Sequence, residues 1–337
     1  MGNCFSDSKK STSEIAPCDL VKVNKPTQTT TQQQATPNVR LCGSPASILT
    51  AYIRFALLYK SISPRFIPCD TPIFESETPT ILRIGSESVS GSRETLLNFI
   101  ESKFPNPPLT TVSSKDIDDD ETAPRIVRLM WLQHKSLKWH LERMARWAED
   151  LAKRKGKKAV DPAVGSPKME VRKFATSYSQ LLELMLEHAQ MEERVVFPVL
   201  EKADRGLCKA ANEEHARDLP IMNGIKEDIK SILVLDCGST AYQEAFRSLA
   251  VRLKSLKEHS KEHFQEEERD LLPLIEATEL SQEQQKRTIV QCVSAMQGTH
   301  SHLFHFFLEG LPPAEAMQYL NLTTYAVIKN ELSPSFI

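Results

Sequence analysis

The chain has 337 residues and a formal net charge of −2, with 26% charged and 40% hydrophobic residues. That length allows two modest domains, and the near-neutral balance creates no strong field, which argues against a nucleic-acid partner. No run approaches the roughly 18 apolar residues of a membrane-spanning helix. Cys4, Cys18, Cys42, Cys69, Cys208, Cys237 and Cys292 include no CxxC pair, so neither a disulfide framework nor a zinc finger is expected, and a reducing, intracellular setting is the simplest reading.

The chain opens MGNCFS. Removal of Met1 exposes Gly2, with Ser6 placed as N-myristoylation requires, and Cys4 offers a palmitoylation site beside it. One acyl chain holds a protein marginally at a bilayer and two hold it stably. Lys9 and Lys10 add a weak basic supplement. The expectation is attachment to the cytoplasmic face of a membrane, the plasma membrane in particular. Residues 1–38 otherwise read as a disordered tether rich in Ser, Thr, Gln, Lys and Pro, unable to bury a core.

Residues 39–108 read as a small α/β unit. A short strand from Val39, a turn at Gly43-Ser44-Pro45, and a helix with Ile48, Ala51, Tyr52, Phe55 and Leu58 on one side are followed by a second strand, Arg65 to Pro68. A hairpin and a helix with Leu96, Leu97 and Ile100 turned inward complete it. This unit resembles the N-terminal, thioredoxin-like domain of glutathione transferases, with LCGSPAS similar to that family's strand-to-helix turn. The resemblance implies Ser44 or Ser47 as a thiol-activating hydroxyl, Pro79 as the cis-proline before the third strand, and Ser92 as the contact to the γ-glutamyl carboxylate of glutathione. Gly91 departs from the pattern, standing where an acidic residue usually precedes that serine.

Residues 109–121 form a polar, acidic linker. From 122 to 310 the pattern is helical. Four amphipathic stripes carry, in turn, Ile126–His134–Leu141–Leu151, Phe174–His188–Glu192–Val199, Ala211–His215–Ile232, and Ala245–His263–Glu267–Leu274 at helical spacing. KRKGKKAVDPAVGSP separates the first two and LDCGST the last two; a fifth helix is expected over about Gln282 to Leu308, and 311–337 reads as a C-terminal tail.

The segment HAQMEERVVFPVLE from His188 returns 75 residues later as HFQEEERDLLPLIE from His263, identical at seven of 14 positions. In each copy the glutamate lies four residues after the histidine, on the same helix face, and a proline (Pro198, Pro273) follows six residues after the glutamate. A carboxylate on an apolar face is costly if charged and unpaired. Two of them, converging with four imidazoles, call for a cation. A third HxxxE, His305–Glu309, is read as coincidence, and His300, His302 and His305 as packing or surface groups. His134 is preferred to His140, which lies off the first stripe. Glu193 and Glu268 either support the ligands or face solvent.

Imidazole with carboxylate and no thiolate suits iron, manganese or zinc, and two carboxylates from opposite hairpins are placed to bridge two metals. The pattern His…His-x3-Glu…His…His-x3-Glu resembles the hemerythrin-like (HHE cation-binding) family over about residues 122–310. LQHKSLKWHLE and HAQMEERVVFPVLE are similar to the hemerythrin domains of iron-sensing ubiquitin ligases, although no RING or zinc-ribbon cysteines are present. The resemblance implies an up-and-down four-helix bundle with an extra C-terminal helix, hence an α+β multidomain chain. It also implies two non-haem iron ions held by His134, His188, Glu192, His215, His263 and Glu267, and dioxygen as a ligand of the metal; oxygen-carrying members have a fifth histidine, for which His259 is the candidate, its other reading being a solvated histidine. Three roles follow as expectations: a sensor or handler of iron, oxygen or redox state at a membrane; a glutathione-dependent redox enzyme; or a structural adaptor with a structural metal, engaging a protein partner the sequence does not name.

Overall fold

The computed structural model describes residues 38–44, 47–69, 79–109, 124–154 and 166–331, with side chains to residue 323. The expectations for the tether with Gly2 and Cys4, for the linker beyond Leu109, and for the break at residues 155–165 lie outside the described residues. The fold class is α+β: a small four-stranded sheet followed by a helical region.

The sheet comprises β1 (Val39–Gly43), β2 (Arg65–Pro68), β3 (Ile81–Ile84) and β4 (Glu87–Ser90), with α1 (Ile48–Tyr59) and α2 (Arg93–Lys103). Its order is β2-β1-β3-β4. β1 runs parallel to β2, as the intervening helix requires, and antiparallel to β3. Alternation in β1 buries Val39 and Leu41, and these pack with Ile53 and Leu57 of α1 and Leu96 and Ile100 of α2. The Ser47 hydroxyl caps α1 by accepting from the Thr50 amide, and Ser92 caps α2 by accepting from the Thr95 amide. Both expected glutathione contacts therefore have a helix-capping role. Ser44 contributes its carbonyl to the turn into α1. Pro79 is exposed at the head of β3, and the residue before it lies outside the described residues.

The bundle consists of α3 (Arg125–Lys153), α4 (Pro167–Met191), α6 (Lys209–Val234) and α7 (Thr240–Glu266), with the short α5 (Phe197–Glu201) and α8 (Leu272–Ala277) continuing α4 and α7. α3 touches α4 and α7, and α6 touches the same two, so consecutive helices close a ring. The stripe of α3 is buried throughout, from Ile126 through His134 and Leu141 to Leu151. Ser166 and Ser239 cap α4 and α7, and a proline at the first position of α4 costs no hydrogen bond.

Two wide π turns, Glu192–Val196 and Glu267–Leu271, interrupt the two long helices at equivalent places. In each the amide five residues on, from Phe197 or Leu272, donates to the carbonyl of the glutamate. The duplicated proline explains them. Pro198 and Pro273 lack the N–H that an uninterrupted helix needs. The extra residue resets the helix, so that each proline falls in the first turn of a new segment, where its missing donor is not required.

The C-terminal region differs from the reading as one fifth helix and a tail. It contains α9 (Gln282–Ala295), α10 (Phe304–Glu309) and α11 (Pro313–Glu331). α9 stops because the Glu187 carboxylate draws in the amides of Gly298 and Thr299, both at 2.7 Å. α11 is a helix because Ala316, Tyr319, Leu320 and Thr323 recur at helical spacing and are buried. It packs on α1, α3 and α9, and the Tyr52 hydroxyl of α1 donates to Asn321 Oδ1 at 2.6 Å. No helix among the described residues is long and apolar enough to cross a membrane.

Candidate metal centre

The middle of the bundle holds six polar side chains. His134 comes from α3, His188 from the end of α4, His215 from α6 and His263 from the end of α7, while Glu192 and Glu267 open the two π turns. His134 and Glu192 are completely buried, and His188, His263 and Glu267 nearly so. Their donor atoms form two groups. One is His134, His188, Glu192 and Glu267; the other is Glu192, His215, His263 and Glu267; within each, all donor atoms lie within 4.8 Å of one another. The two carboxylates belong to both groups.

All four imidazoles present Nε2 to this centre. Glu192 Oε1 is 3.2 Å from Nε2 of His188 and 3.5 Å from that of His134, and Glu192 Oε2 is 3.3 Å from that of His215. Glu267 stands 3.4 Å from His134 Nε2 and 3.5 Å from His263 Nε2. Nε2 of His215 and of His263 face one another at 3.1 Å. On the other side of each ring, Nδ1 has an acceptor. His134 meets Glu268 at 3.1 Å, His188 meets Gln133 at 2.9 Å, His215 meets Glu193 at 2.9 Å, and His263 meets Glu214 at 2.6 Å. A proton held on Nδ1 leaves the Nε2 lone pair aimed inward, the tautomer a metal ligand needs.

The electrostatics are those of a largely buried anionic pocket. Burial pushes the Glu267 carboxyl well up, and the charges of Glu192 and Glu214 add to this. Burial acts on Glu192 in the same direction, but His188, His134 and His215 outweigh it and hold that carboxylate well down. Burial lowers His188, and lowers His263 to about 3. In His134 and His215 burial also opposes charge, yet the neighbouring carboxylates of Glu192 with Glu268 or Glu193 prevail and raise both. His188 Nε2, Glu192 Oε2 and both Glu267 oxygens are buried without an aligned hydrogen-bond partner. Four such atoms in one place cost several kcal/mol at about 1–3 each, and they share one remedy. Nitrogen and carboxylate oxygen donors around a shared pair of bridging groups fit two borderline divalent or trivalent cations.

Of the two readings of His259, ligand or solvated, the structure has the solvated one: it is 48% exposed, 3.9 Å from Asp218, at the solvent edge of the face it shares with His263. His140 is buried, but its Nε2 meets the Phe306 carbonyl at 2.8 Å and its ring stacks on Phe306. His305 pairs with Glu309 at 3.2 Å on its own short helix, away from the centre. Glu268 and Glu193 both meet histidines of the cluster, and Glu193 faces solvent as well, 42% exposed. Gln133 and Glu214 have no role in the sequence reading, although each immediately precedes a histidine of the cluster, in the same place in each half.

A cavity of about 260 Å³ reaches the centre beside His188, His215 and His263, with apolar walls that include Leu137, Met185 and Phe264 and a polar side that includes Glu193, Asn212 and Asp218. The Phe264 ring stacks on His134 at 4.6 Å, shielding the imidazole from water.

Fold and site together define a helical-bundle protein with a buried cluster of imidazoles and carboxylates fit to bind metal. Residues 125–275 match the family model of the hemerythrin HHE cation binding domain, and this chain carries such a domain. No curated protein and no solved structure matches the chain significantly.

Proposed function

We propose that this protein binds two iron ions in the bundle and uses them to sense or handle iron, dioxygen or redox state at a membrane surface. The supporting observation is the sharing of Glu192 and Glu267 between two groups of donors. Each group would hold one ion through two imidazoles and the two shared carboxylates, and so few protein donors would leave room for a small exogenous ligand. Bound iron supplies reversible one-electron chemistry and an attachment point for such a ligand. The chain supplies the rest. Nδ1 partners fix the rings, Phe264 covers His134, and the largely apolar cavity gives a small uncharged molecule such as dioxygen a route to the centre. Ion loss leaves buried carboxylates uncompensated and loosens the bundle, which turns occupancy into a conformational signal. Acylation at Gly2 and Cys4, read from MGNCFS, places that signal on the cytoplasmic leaflet.

Metal analysis of the purified chain, with optical spectra in air before and after reduction, tests this reading. Two irons per chain and a spectrum that changes reversibly are expected. A protein with no bound iron, or one whose iron content is unchanged when Glu192 and Glu267 are both replaced by Ala, refutes it.

A further inference from the structure

The two halves of the centre are related position by position. His134 corresponds to His215, His188 to His263, Glu192 to Glu267 and Glu193 to Glu268. The supporting bonds obey the same relation and cross between halves: Glu268 holds His134 while Glu193 holds His215. The residue preceding the first histidine holds the second, so that Gln133 serves His188 and Glu214 serves His263. At this last pair the relation breaks, with an amide in one half and a carboxylate in the other.

The amide has a structural reason. Gln133 is buried, and its Nε2 donates to the Tyr319 hydroxyl of α11 at 3.3 Å. Tyr319 lies 2.9 Å from His300 Nε2, and His300 Nδ1 lies 2.8 Å from the Met296 carbonyl. A carbonyl only accepts, so His300 carries its proton on Nδ1 and accepts from the tyrosine O–H. The tyrosine oxygen then accepts the amide N–H, and the amide oxygen is left for His188 Nδ1–H. A carboxylate at position 133 has no N–H for Tyr319. Glu214, 25% exposed, answers to no such chain. A second difference acts in the same sense, because Glu268 also accepts from Lys138 at 2.7 Å.

An imidazole whose Nδ1–H meets a carboxylate is a stronger base at Nε2 than one meeting an amide. We infer that the two metal positions are built unequal, the His215–His263 position binding its ion more tightly than the His134–His188 position, with Gln133 and Glu214 as the positioning residues that set the difference. This rests on the two-iron reading. The weaker position is also the one linked to the C-terminal helix, outside the residues matched by the family model, through Gln133 and Tyr319.

The test is anaerobic titration of the metal-free full chain with ferrous ion against a competing chelator. Wild type should load in two steps whose dissociation constants differ by about tenfold or more. Glu214→Gln, on the partly exposed side, should weaken the tighter step by about tenfold and draw the two together. Gln133→Glu should instead tighten the weaker step, and should bring the two iron environments closer in the Mössbauer spectrum, a change that altered packing alone does not produce. Two equal steps in wild type, or a folded Glu214→Gln protein with both constants within about threefold of wild type, overturns the inference and leaves the two-iron reading standing. Failure to take up iron at all overturns both.

Discussion

Glu267→Gln should change sign with metal. In the metal-free protein Glu267 is nearly completely buried, both its oxygens lack a hydrogen-bond partner, and Glu192 sits in the same pocket. An amide of the same shape removes the carboxylate–carboxylate conflict and brings N–H donors for Glu192. Relief of one to two unpartnered buried oxygens is about 1–3 kcal/mol, which for a domain of this size raises Tm by roughly 2–4 °C per kcal/mol. With metal the balance reverses. Free ion at a hundred times its dissociation constant stabilises the wild type by about 2.7 kcal/mol per site, and an amide is a poor bridge, so the variant forfeits much of that from both positions. Urea or thermal unfolding, run once in chelator and once in excess ferrous ion under nitrogen, reads both terms. The variant should be the more stable protein in chelator and the less stable in metal. A variant destabilised equally under both conditions would show that the carboxylate serves packing, and that the reasoning from its orphaned oxygens is wrong.

His140 gives a pH test independent of the metal: burial pushes it down to about 3, whereas the unfolded chain takes up a proton near about 6.5. Stability from this group is therefore full above about 6.5 and lost as pH falls towards 3, with a slope of up to about 1.4 kcal/mol per pH unit. His140→Asn should flatten the urea midpoint between those limits by up to one proton, and an unchanged slope refutes the assignment. Gly310→Ala should destabilise by about 1–3 kcal/mol in denaturant titration, because an added Cβ meets the Ser136 Oγ and comes within 2.9 Å of the Ser136 Cα and carbonyl oxygen of α3, which cannot swing aside. Gly2→Ala should abolish myristate labelling and move the chain from membrane to soluble fractions on flotation; unchanged partitioning refutes the acylation reading.

The helical stripes of the sequence determined which residues turn inward, because the spacing of three or four is a property of a single helix. It placed Glu192 one turn from His188 and Glu267 one turn from His263, whereas His140, read as off the stripe, is buried as well, because α10 covers that face of α3 with Phe306. The duplicated prolines carried a signal as well, since a missing N–H six residues past each glutamate demands a local change in winding. α11 has its own signal in Ala316, Tyr319 and Leu320 at helical spacing, but a stripe this short among polar neighbours does not by itself tell a packed helix from a tail. What only the tertiary structure decided is which side chain meets which across helices. Glu268 reaches His134 from α7's π turn, Glu214 reaches His263 from α6, and Gln133 is held between His188 and Tyr319. Those pairings depend on helix register and crossing, which periodicity along one chain segment does not encode. His259 shares a face with His263, four residues on, but stands at the solvent edge of the stripe, 48% exposed, and which edge of a stripe the neighbouring helices cover is again decided by packing.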